Sequence, residues 1–299
     1  MNHILSAGQF TLTELKGFLS RAAEMEEILE KGGSRMAEDK ILATLFYEPS
    51  TRTRLSFETA MYRLGGHVIS ETDVMFSSQT KGEVLADTIR MVGSYSDIIA
   101  IRSKEKGNAA LAAQYSTVPV LNGGDGAGEH PTQGLLDLYT IAKHFRLGEE
   151  PIHVAFVGDL KYGRTVHSCC TLLRNFEGVT FSFVAPESLQ IPDSYYRQGE
   201  AKYHQLNDDI LTKANVVYDT RIQKERLENP EIYEQVKNAF IFTPEVVSKM
   251  DEESILMHPL PRVNEITLDV DKMPQATYFE QAANGVPTRM ALIAECLGL

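Results

Sequence analysis

Hydroxyl and guanidinium side chains are concentrated in one short stretch of the sequence. Five of them follow the apolar run ILATLF at the start of a helical pattern: Ser50, Thr51, Arg52, Thr53 and Arg54. The first turn of a helix presents N–H groups without partners, hydroxyls add donors, and arginine offers a bidentate fork for phosphate oxygens. The stretch therefore predicts an oxyanion or phosphate site, the alternative being a serine N-cap followed by solvated arginines.

Further polar groups follow two other apolar runs. The run DIIAI ends at Arg102, and the run VPVLN leads through glycines into His130 and Gln133. Pro131 suits the first position of a helix, and residues three apart at its start can face one ligand. His130 alone indicates only a histidine at a helix start. With Arg102 beside it, His130 is predicted to polarise a carbonyl group. Gln133 has both a donor and an acceptor and can therefore recognise an amide.

The second half of the chain contains two more candidate anion sites. The loop GDLKYGRT from Gly158 nearly matches the phosphate-binding pattern GxxxxGK[ST], but Arg164 stands at the position of its lysine. No acidic residue at the end of a predicted strand is suited to bind magnesium. A guanidinium at a helix start suits a carboxylate, although a surface ion pair is the alternative. Arg221 and Gln223 follow a later apolar run and lie on either side of Ile222, so they face the same way in an extended chain. They predict a second anion site rather than a solvated loop.

The segment His258-Pro259-Leu260-Pro261 follows the last clear apolar run. Two prolines hold such a segment extended and keep its carbonyls out of a regular ladder. It is either a rigid connector or a set of carbonyl acceptors for a substrate NH₂ group.

Length and composition limit the kind of protein that carries these groups. The 299 residues suffice for two domains, and 29 Lys and Arg against 41 Asp and Glu give a net charge of −12. An acidic protein is a poor candidate for nucleic acid, and no apolar run is long enough for a membrane span. Three cysteines without a CxxC pattern predict no zinc site and suit a reducing cytoplasm.

Short apolar runs alternate with helical patterns along the chain, and the cycle restarts after the joint RLGEEP at 146–151. Near-continuous apolar strands between helices are typical of parallel sheets covered on both faces. We therefore expect two open, Rossmann-like α/β domains with their ligands beyond the carboxyl ends of the strands. No GxGxxG motif occurs, so no dinucleotide cofactor is expected.

Together these sites suit transfer of an acyl-type group from a phosphate donor to a dicarboxylate acceptor. The chain closely resembles the aspartate carbamoyltransferase family over essentially its whole length. The resemblance is carried in order by FYEPSTRTRLSFE from Phe46, SxxxKGE from Ser77, HPTQ at 130–133, VGDLKYGRTVHS from Val157, TRIQKER from Thr220 and HPLPRVNEI from His258.

The resemblance implies a role for each matching residue. The phosphate of carbamoyl phosphate would be held by Ser50, Thr51, Arg52 and Thr53, its carbonyl oxygen by Thr53, Arg102 and His130, and its NH₂ group by Gln133 and the carbonyls of Pro259 and Leu260. The α-carboxylate of L-aspartate would meet Arg164, and the β-carboxylate Arg221 and Gln223. Ser77 and Lys81 would reach into the site of a neighbouring subunit, where Lys81 meets both substrates. The implied catalytic set is Arg52, Thr53, Lys81, Arg102 and His130.

The resemblance also implies an architecture and a mechanism. Residues 1–145 would bind carbamoyl phosphate, 146–285 would bind aspartate, and a C-terminal helix at 286–299 would pack back on the first domain. The subunits would form a homotrimer with shared active sites, and the reaction would need no metal or other cofactor. A regulatory chain is a further partner that the family allows, but no motif in the sequence indicates a surface for it.

Three other interpretations remain at this point. A sister transcarbamoylase acting on ornithine would want an acidic residue for its acceptor and typically carries HCLP where this chain has HPLP. A catalytically silent binding homologue would not need Arg52, Lys81, Arg102, His130 and Arg164 intact. A nucleotide-binding protein is supported only by the imperfect loop at 158–165.

Overall fold

The structure is a computed structural model that describes residues 3–71, 82–126, 128–227 and 230–299. The chain forms two compact units. One contains Met1–Tyr139 and Asn284–Leu299, and the other contains Thr140–Ala283. The chain therefore leaves the first unit once and returns to it at its end.

The helices and strands follow one another in the alternating order that the apolar runs predict. The first half contains α1 (Leu12–Glu30), β1 (Ile41–Phe46), α2 (Thr51–Arg63), β2 (His67–Glu71), α3 (Leu85–Gly93), β3 (Ile98–Ser103), α4 (Asn108–Tyr115), β4 (Val120–Asp125) and α5 (Pro131–His144). The second half contains β5 (Ile152–Gly158), α6 (Arg164–Leu173), β6 (Val179–Val184), β7 (Ala201–Tyr203), α7 (Asp208–Lys213), β8 (Val216–Thr220), α8 (Pro230–Val236), α9 (Pro244–Val247), β9 (Ile255–Met257), α10 (Tyr278–Ala283) and α11 (Gly285–Leu297). Short 3-10 helices lie at 7–9, 187–189, 193–195, 224–226 and 268–272.

The first unit is built on a four-stranded parallel sheet in the order β2-β1-β3-β4. Its central strands, β1 and β3, are apolar on both faces because helices cover them, and Leu42 and Ile99 are fully buried. The terminal helix α11 packs on α1 and α2 of this unit. Because β1, β3 and β4 are parallel neighbours, their carboxyl ends lie side by side at one edge of the sheet.

The second unit contains a five-stranded parallel sheet in the order β7-β6-β5-β8-β9. Phe156 of β5 contacts three aromatic rings from the neighbouring strands, with centroids 5.5–5.9 Å away, and all of these side chains are buried. Such pairs add to the burial of apolar area. The ends of β5 and β8 are therefore set on a rigid aromatic core.

The expected fold class, two parallel α/β sheets with a C-terminal helix, is confirmed. The sequence did not predict strand β7, because Ala201–Tyr203 (AKY) forms no apolar run and is too short to show an alternating period. No helix among the described residues combines the length and the apolar character that a membrane crossing requires.

Candidate active site

The start of α2 presents the hydroxyl-rich stretch that the sequence singled out. Ser50 is the N-cap residue in extended conformation, with φ −159° and ψ 103°, yet its side chain makes no capping hydrogen bond to the described helix. Arg52 is exposed, whereas Thr53 is buried. Partial desolvation lowers the pKa of Arg52, which nonetheless stays charged at neutral pH. The N–H groups of the first turn and these side chains form a candidate anion site.

Arg102 reaches the same edge of the sheet from β3, directly beside the end of β1. In the sheet register Arg102 lies opposite Phe46, the last residue of β1. The guanidinium Nε lies 3.1 Å from Oε2 of Glu48, and Nη1 donates to the carbonyl of Gly123 at 3.2 Å. The side chain is only 11% exposed. It is therefore a cation fixed between the ends of β1 and β4.

The start of α5 adds His130 and Gln133 next to β4. His130 is buried, and its Nδ1 lies 3.5 Å from the hydroxyl of Thr132. The Gln133 Nε2 group donates to Oδ1 of the fully buried Asp137 at 2.9 Å. This assignment of the amide leaves its oxygen as the acceptor for a ligand N–H group.

A buried arginine of the terminal helix α11 lies near the residues that hold Gln133. Arg289 is 2% exposed, lies 4.9 Å over the Phe57 ring and donates to the carbonyl of Gly285. Burial lowers the pKa of Arg289 to about 9, while the Asp137 carboxylate opposes that shift. The C-terminal helix thus supplies a cation to the acidic partner of Gln133.

In the second unit, a loop after β5 leads to Arg164 at the first turn of α6. Gly158 has φ +109°, and a Cβ there would lie 2.1 Å from the carbonyl oxygen of Thr220, so only glycine fits. The backbone N–H of Asp159 donates to the Thr220 hydroxyl at 3.1 Å, and the carboxylate of Asp159 accepts the N–H of Tyr162 at 3.0 Å. Arg164 itself is buried.

The segment after β8 is tied to that same loop. The carboxylate of Asp159 also accepts the backbone N–H of Gln223 at 3.3 Å, and Gln223 Nε2 donates to the carbonyl of Tyr162 at 3.2 Å. Burial raises the pKa of Asp159, and the hydrogen bonds that it accepts oppose the shift. Asp159 therefore joins the two segments that carry Arg164 and the half-buried Arg221.

The third candidate segment of this unit follows β9. Pro259 and Leu260 are half-buried, Leu260 has φ +52°, and the Leu260–Pro261 peptide bond is cis. His258 precedes them and is 1% exposed. The remaining site residues that the sequence predicted, Ser77 and Lys81, lie outside the described residues.

Within each unit the structure brings the predicted residues to the carboxyl ends of neighbouring strands. The sequence missed the charged groups that hold this site or support those that do: Glu48 beside Arg102, Asp137 beside Gln133, Asp159 beside Gln223, Glu265 at 2.9 Å from the His258 ring, and Arg289 within the field of Asp137. All are charged residues that are buried or partly buried, and three of them stand inside the quoted motifs. Such residues are rarely buried without a partner. Gln133 and Asp137 have the i,i+4 spacing of a helical pair, which the sequence shows, whereas Glu48 and Arg102 are distant in sequence and only the fold identifies their contact. Among the described residues no group of three His, Cys, Asp or Glu side chains could hold a metal ion.

These features define a parallel α/β protein that presents arginines, hydroxyls and helix starts for anions at the strand ends of two units. Two family models match the chain. The carbamoyl-phosphate-binding domain of aspartate/ornithine carbamoyltransferase matches residues 2–143, and the Asp/Orn-binding domain of that family matches residues 150–296. The chain belongs to the aspartate/ornithine carbamoyltransferase family.

Its relatives match over nearly the full length. The aspartate carbamoyltransferase catalytic subunit of Methanocaldococcus jannaschii is 49% identical over 304 residues, covering 99% of this chain and 98% of the relative. That of Methanococcus maripaludis is 49% identical over 297 residues, covering 98% and 97%. The resemblance that the motifs indicated is thereby confirmed.

Solved structures agree with these relatives. The catalytic subunit of M. jannaschii aspartate transcarbamoylase superposes with a TM-score of 0.90 at 47% identity, covering 100% of this chain and 98% of that chain. The aspartate transcarbamoylase of Trypanosoma cruzi, in complex with N-(phosphonacetyl)-L-aspartic acid, gives 0.92 at 37% identity, covering 98% and 94%.

Proposed function

We propose that this chain transfers the carbamoyl group of carbamoyl phosphate to the amine of L-aspartate, giving N-carbamoyl-L-aspartate and phosphate. The observation that carries the proposal is its near-full-length identity of 49% to catalytic subunits named aspartate carbamoyltransferase. Structures of the T. cruzi relative hold carbamoyl phosphate with aspartate, and carbamoyl aspartate with phosphate. The reaction is a step of pyrimidine biosynthesis. The cytoplasm is its proposed location, and the three free cysteines suit that reducing compartment.

The first unit is the proposed donor site. Ser50, Thr51, Arg52 and Thr53 bind the phosphate at the start of α2, where helix N–H groups and a charged guanidinium favour an anion. The family model for the carbamoyl-phosphate-binding domain covers this region. We assign residues 1–145 to the donor, with 286–299 returning to the same unit.

Arg102, His130 and Thr53 are proposed to polarise the carbamoyl carbonyl. Arg102 is already fixed by Glu48 and by the Gly123 carbonyl, so it need not reorganise as negative charge grows on the carbonyl oxygen. A donor preorganised for such charge lowers the activation barrier by about 3–4 kcal/mol. Gln133 accepts from the NH₂ group with the amide oxygen that its bond to Asp137 leaves for a ligand.

Residues 146–285 form the proposed acceptor domain. Arg164 binds the α-carboxylate of aspartate, and Arg221 with Gln223 binds the β-carboxylate. Two cationic groups on segments joined by Asp159 suit a dicarboxylate rather than the cationic tail of ornithine.

The chemistry needs one nucleophilic attack and one proton transfer. The neutral amine of aspartate forms a bond to the carbamoyl carbon, and the bond from that carbon to the phosphate oxygen breaks. The departing phosphate accepts the amine proton. Binding both substrates in register supplies the positioning part of catalysis.

We propose a homotrimer whose neighbouring subunits share active sites through Ser77 and Lys81. The described chain presents large exposed apolar side chains on consecutive elements, namely Leu55 and Tyr62 of α2, Ile69 of β2, Val84, Met91 of α3 and Tyr95. Of these elements α2 and β2 contact each other, and neighbouring exposed apolar side chains are typical of a protein interface. A regulatory chain remains a partner known from the family alone.

A product assay tests the function directly. The purified chain with carbamoyl phosphate and L-aspartate should form N-carbamoyl-aspartate in a colorimetric ureido assay, and L-ornithine should give no product. Formation of citrulline would identify the sister activity. Absence of both products from a folded chain would favour a silent binding homologue, and nucleotide binding would then be measured.

A further inference from the structure

The segment after β9 is organised by the buried ring of His258. Its Nδ1 accepts the backbone N–H of Leu260 at 2.8 Å. The backbone N–H of His258 donates to Oε1 of Gln281 at 2.8 Å, and Gln281 is itself 1% exposed. The ring thus lies against the segment that it precedes and holds it by a specific hydrogen bond.

Glu265 faces the other side of the same ring. Its Oε1 lies 2.9 Å from Nε2 of His258, at ion-pair distance but bent away from the ideal hydrogen-bond direction. The carboxylate also accepts the backbone N–H groups of Val263 and Asn264, each at 3.1 Å. It therefore ties the His258 ring to the far end of the segment.

These contacts determine which ring nitrogen carries the proton. Because Nδ1 accepts the Leu260 N–H, the neutral ring has its proton on Nε2, where it faces the carboxylate of Glu265. Burial lowers the pKa of His258 and so keeps the ring neutral. The nearby Asp219 is fully buried, and burial together with the charge of Glu265 raises its pKa well above the usual range.

The carbonyl groups beside the ring belong to two half-buried residues, Pro259 and Leu260. Within the described part of the chain, the carbonyl oxygens of Pro259 and Leu260 accept no hydrogen bond. Leu260 has φ +52°, a conformation that a leucine keeps only where its surroundings hold it. The bond from its N–H to His258 is such a restraint, so the direction of both carbonyls depends on the ring.

We propose that His258, with Glu265 behind it, is a positioning residue for recognition of the carbamoyl NH₂ group. Its Nδ1 holds Leu260 so that the carbonyls of Pro259 and Leu260 accept from that NH₂. The inference rests on the proposed function. It makes the segment, together with Gln133, a part of the protein that distinguishes carbamoyl phosphate from acetyl phosphate, which has a methyl group in place of NH₂.

Two amide substitutions separate the two faces of the ring. In His258→Asn the side-chain oxygen can take the place of Nδ1 and keep the Leu260 bond. In His258→Gln the side-chain nitrogen can take the place of Nε2 and keep the Glu265 contact only. We expect H258Q to raise the KM for carbamoyl phosphate roughly tenfold while the inhibition constant of acetyl phosphate stays within about twofold. H258N should retain the wild-type ratio of the two constants.

The competing results are distinct. The inference would be overturned if H258Q weakened binding of carbamoyl phosphate and acetyl phosphate equally, or left the ratio of their two constants unchanged. A changed ratio in H258N would overturn it as well. Circular dichroism and thermal unfolding check the fold, and if H258Q does not fold, the ratio in H258N decides alone. A wild-type chain that forms no N-carbamoyl-aspartate would instead overturn the proposed function.

Discussion

The guanidinium of Arg102, which we assign to the carbamoyl oxygen, is held in place by protein groups. Glu48 and the Gly123 carbonyl hold it, as Asp137 holds Gln133 and the Tyr162 carbonyl holds Gln223. Side chains restrained in this way lose little rotamer freedom when a ligand binds. At the scale of single residues, the site is therefore prepared by groups that need not touch a substrate.

Arg221 provides a test of acceptor choice at this scale. Replacing it with Ala removes the cation assigned to the β-carboxylate, which typically costs about 2–5 kcal/mol when the pair is desolvated, or roughly 30-fold or more in kcat/KM for aspartate. Binding of carbamoyl phosphate should stay within about twofold. Steady-state kinetics with each substrate varied in turn measure both effects.

The matched control for Arg221→Ala is Lys213→Ala, an exposed cation of the same unit that pairs with Asp209. Its kinetics should equal those of wild type. An Arg221→Ala enzyme with the wild-type KM for aspartate would remove this residue from the acceptor site.

At the scale of elements, α6 carries a further buried histidine, His167, three residues after Arg164. His167 donates from Nε2 to the carbonyl of Leu160 at 2.8 Å and stacks on Tyr195 at 4.1 Å. Burial lowers its pKa to about 4. The ring links the loop before α6 to the 3-10 turn at 193–195, and it does so in the neutral form.

This shift predicts the acid sensitivity of the fold. The unfolded chain binds a proton at His167 below about pH 6.5, but the folded chain does so only near pH 4, so stability is lost as the pH falls between these values. From pH 7.5 to 5 the loss attributable to this group is about 2 kcal/mol. His167→Gln keeps an N–H donor without titrating, so its unfolding free energy should fall less over that interval in urea titrations.

His204→Gln, at an exposed position, controls for the substitution itself. The comparison concerns the change with pH, because loss of the Tyr195 stacking lowers the stability of His167→Gln at every pH. If the unfolding free energy of His167→Gln fell as steeply between pH 7.5 and 5 as that of wild type, the acid sensitivity would not be due to His167.

The elements were largely predictable, whereas the partners of the site residues were not. Strands such as β1 and β5 are continuous apolar runs bounded by polar residues, and that pattern reports burial directly. Glu48 and Arg102 meet only because β1 and β3 are neighbours in the sheet. Likewise, no local pattern records which nitrogen of His258 carries its proton, since both of its partners are set by the folded segment.

At the scale of the whole molecule, the shared site of the proposed trimer can be tested by mixing. Arg52→Ala spoils the site of its own chain, and Lys81→Ala spoils the site next door, so each variant alone should be nearly inactive. A ring with two chains of one kind and one of the other contains one site with both residues intact. Reassembled hybrids should therefore regain about a third of native trimer activity.

Native mass spectrometry verifies that hybrid trimers form, and each variant dissociated and reassembled alone is the control. Hybrids no more active than the two parents would show that Lys81 serves its own chain or no site.

The return of the chain to its first unit has a consequence for protein synthesis. Thr140–Ala283 is complete as soon as its last residue leaves the ribosome, but the first unit still lacks Asn284–Leu299 at that moment. Until Asn284–Leu299 has also emerged, Phe57 is without the covering Arg289, and Asp137 is without the charge of that guanidinium. The half that is made first thus finishes folding last. A chain truncated after Ala283 should display a protease-resistant second unit attached to a first unit that is still readily cleaved.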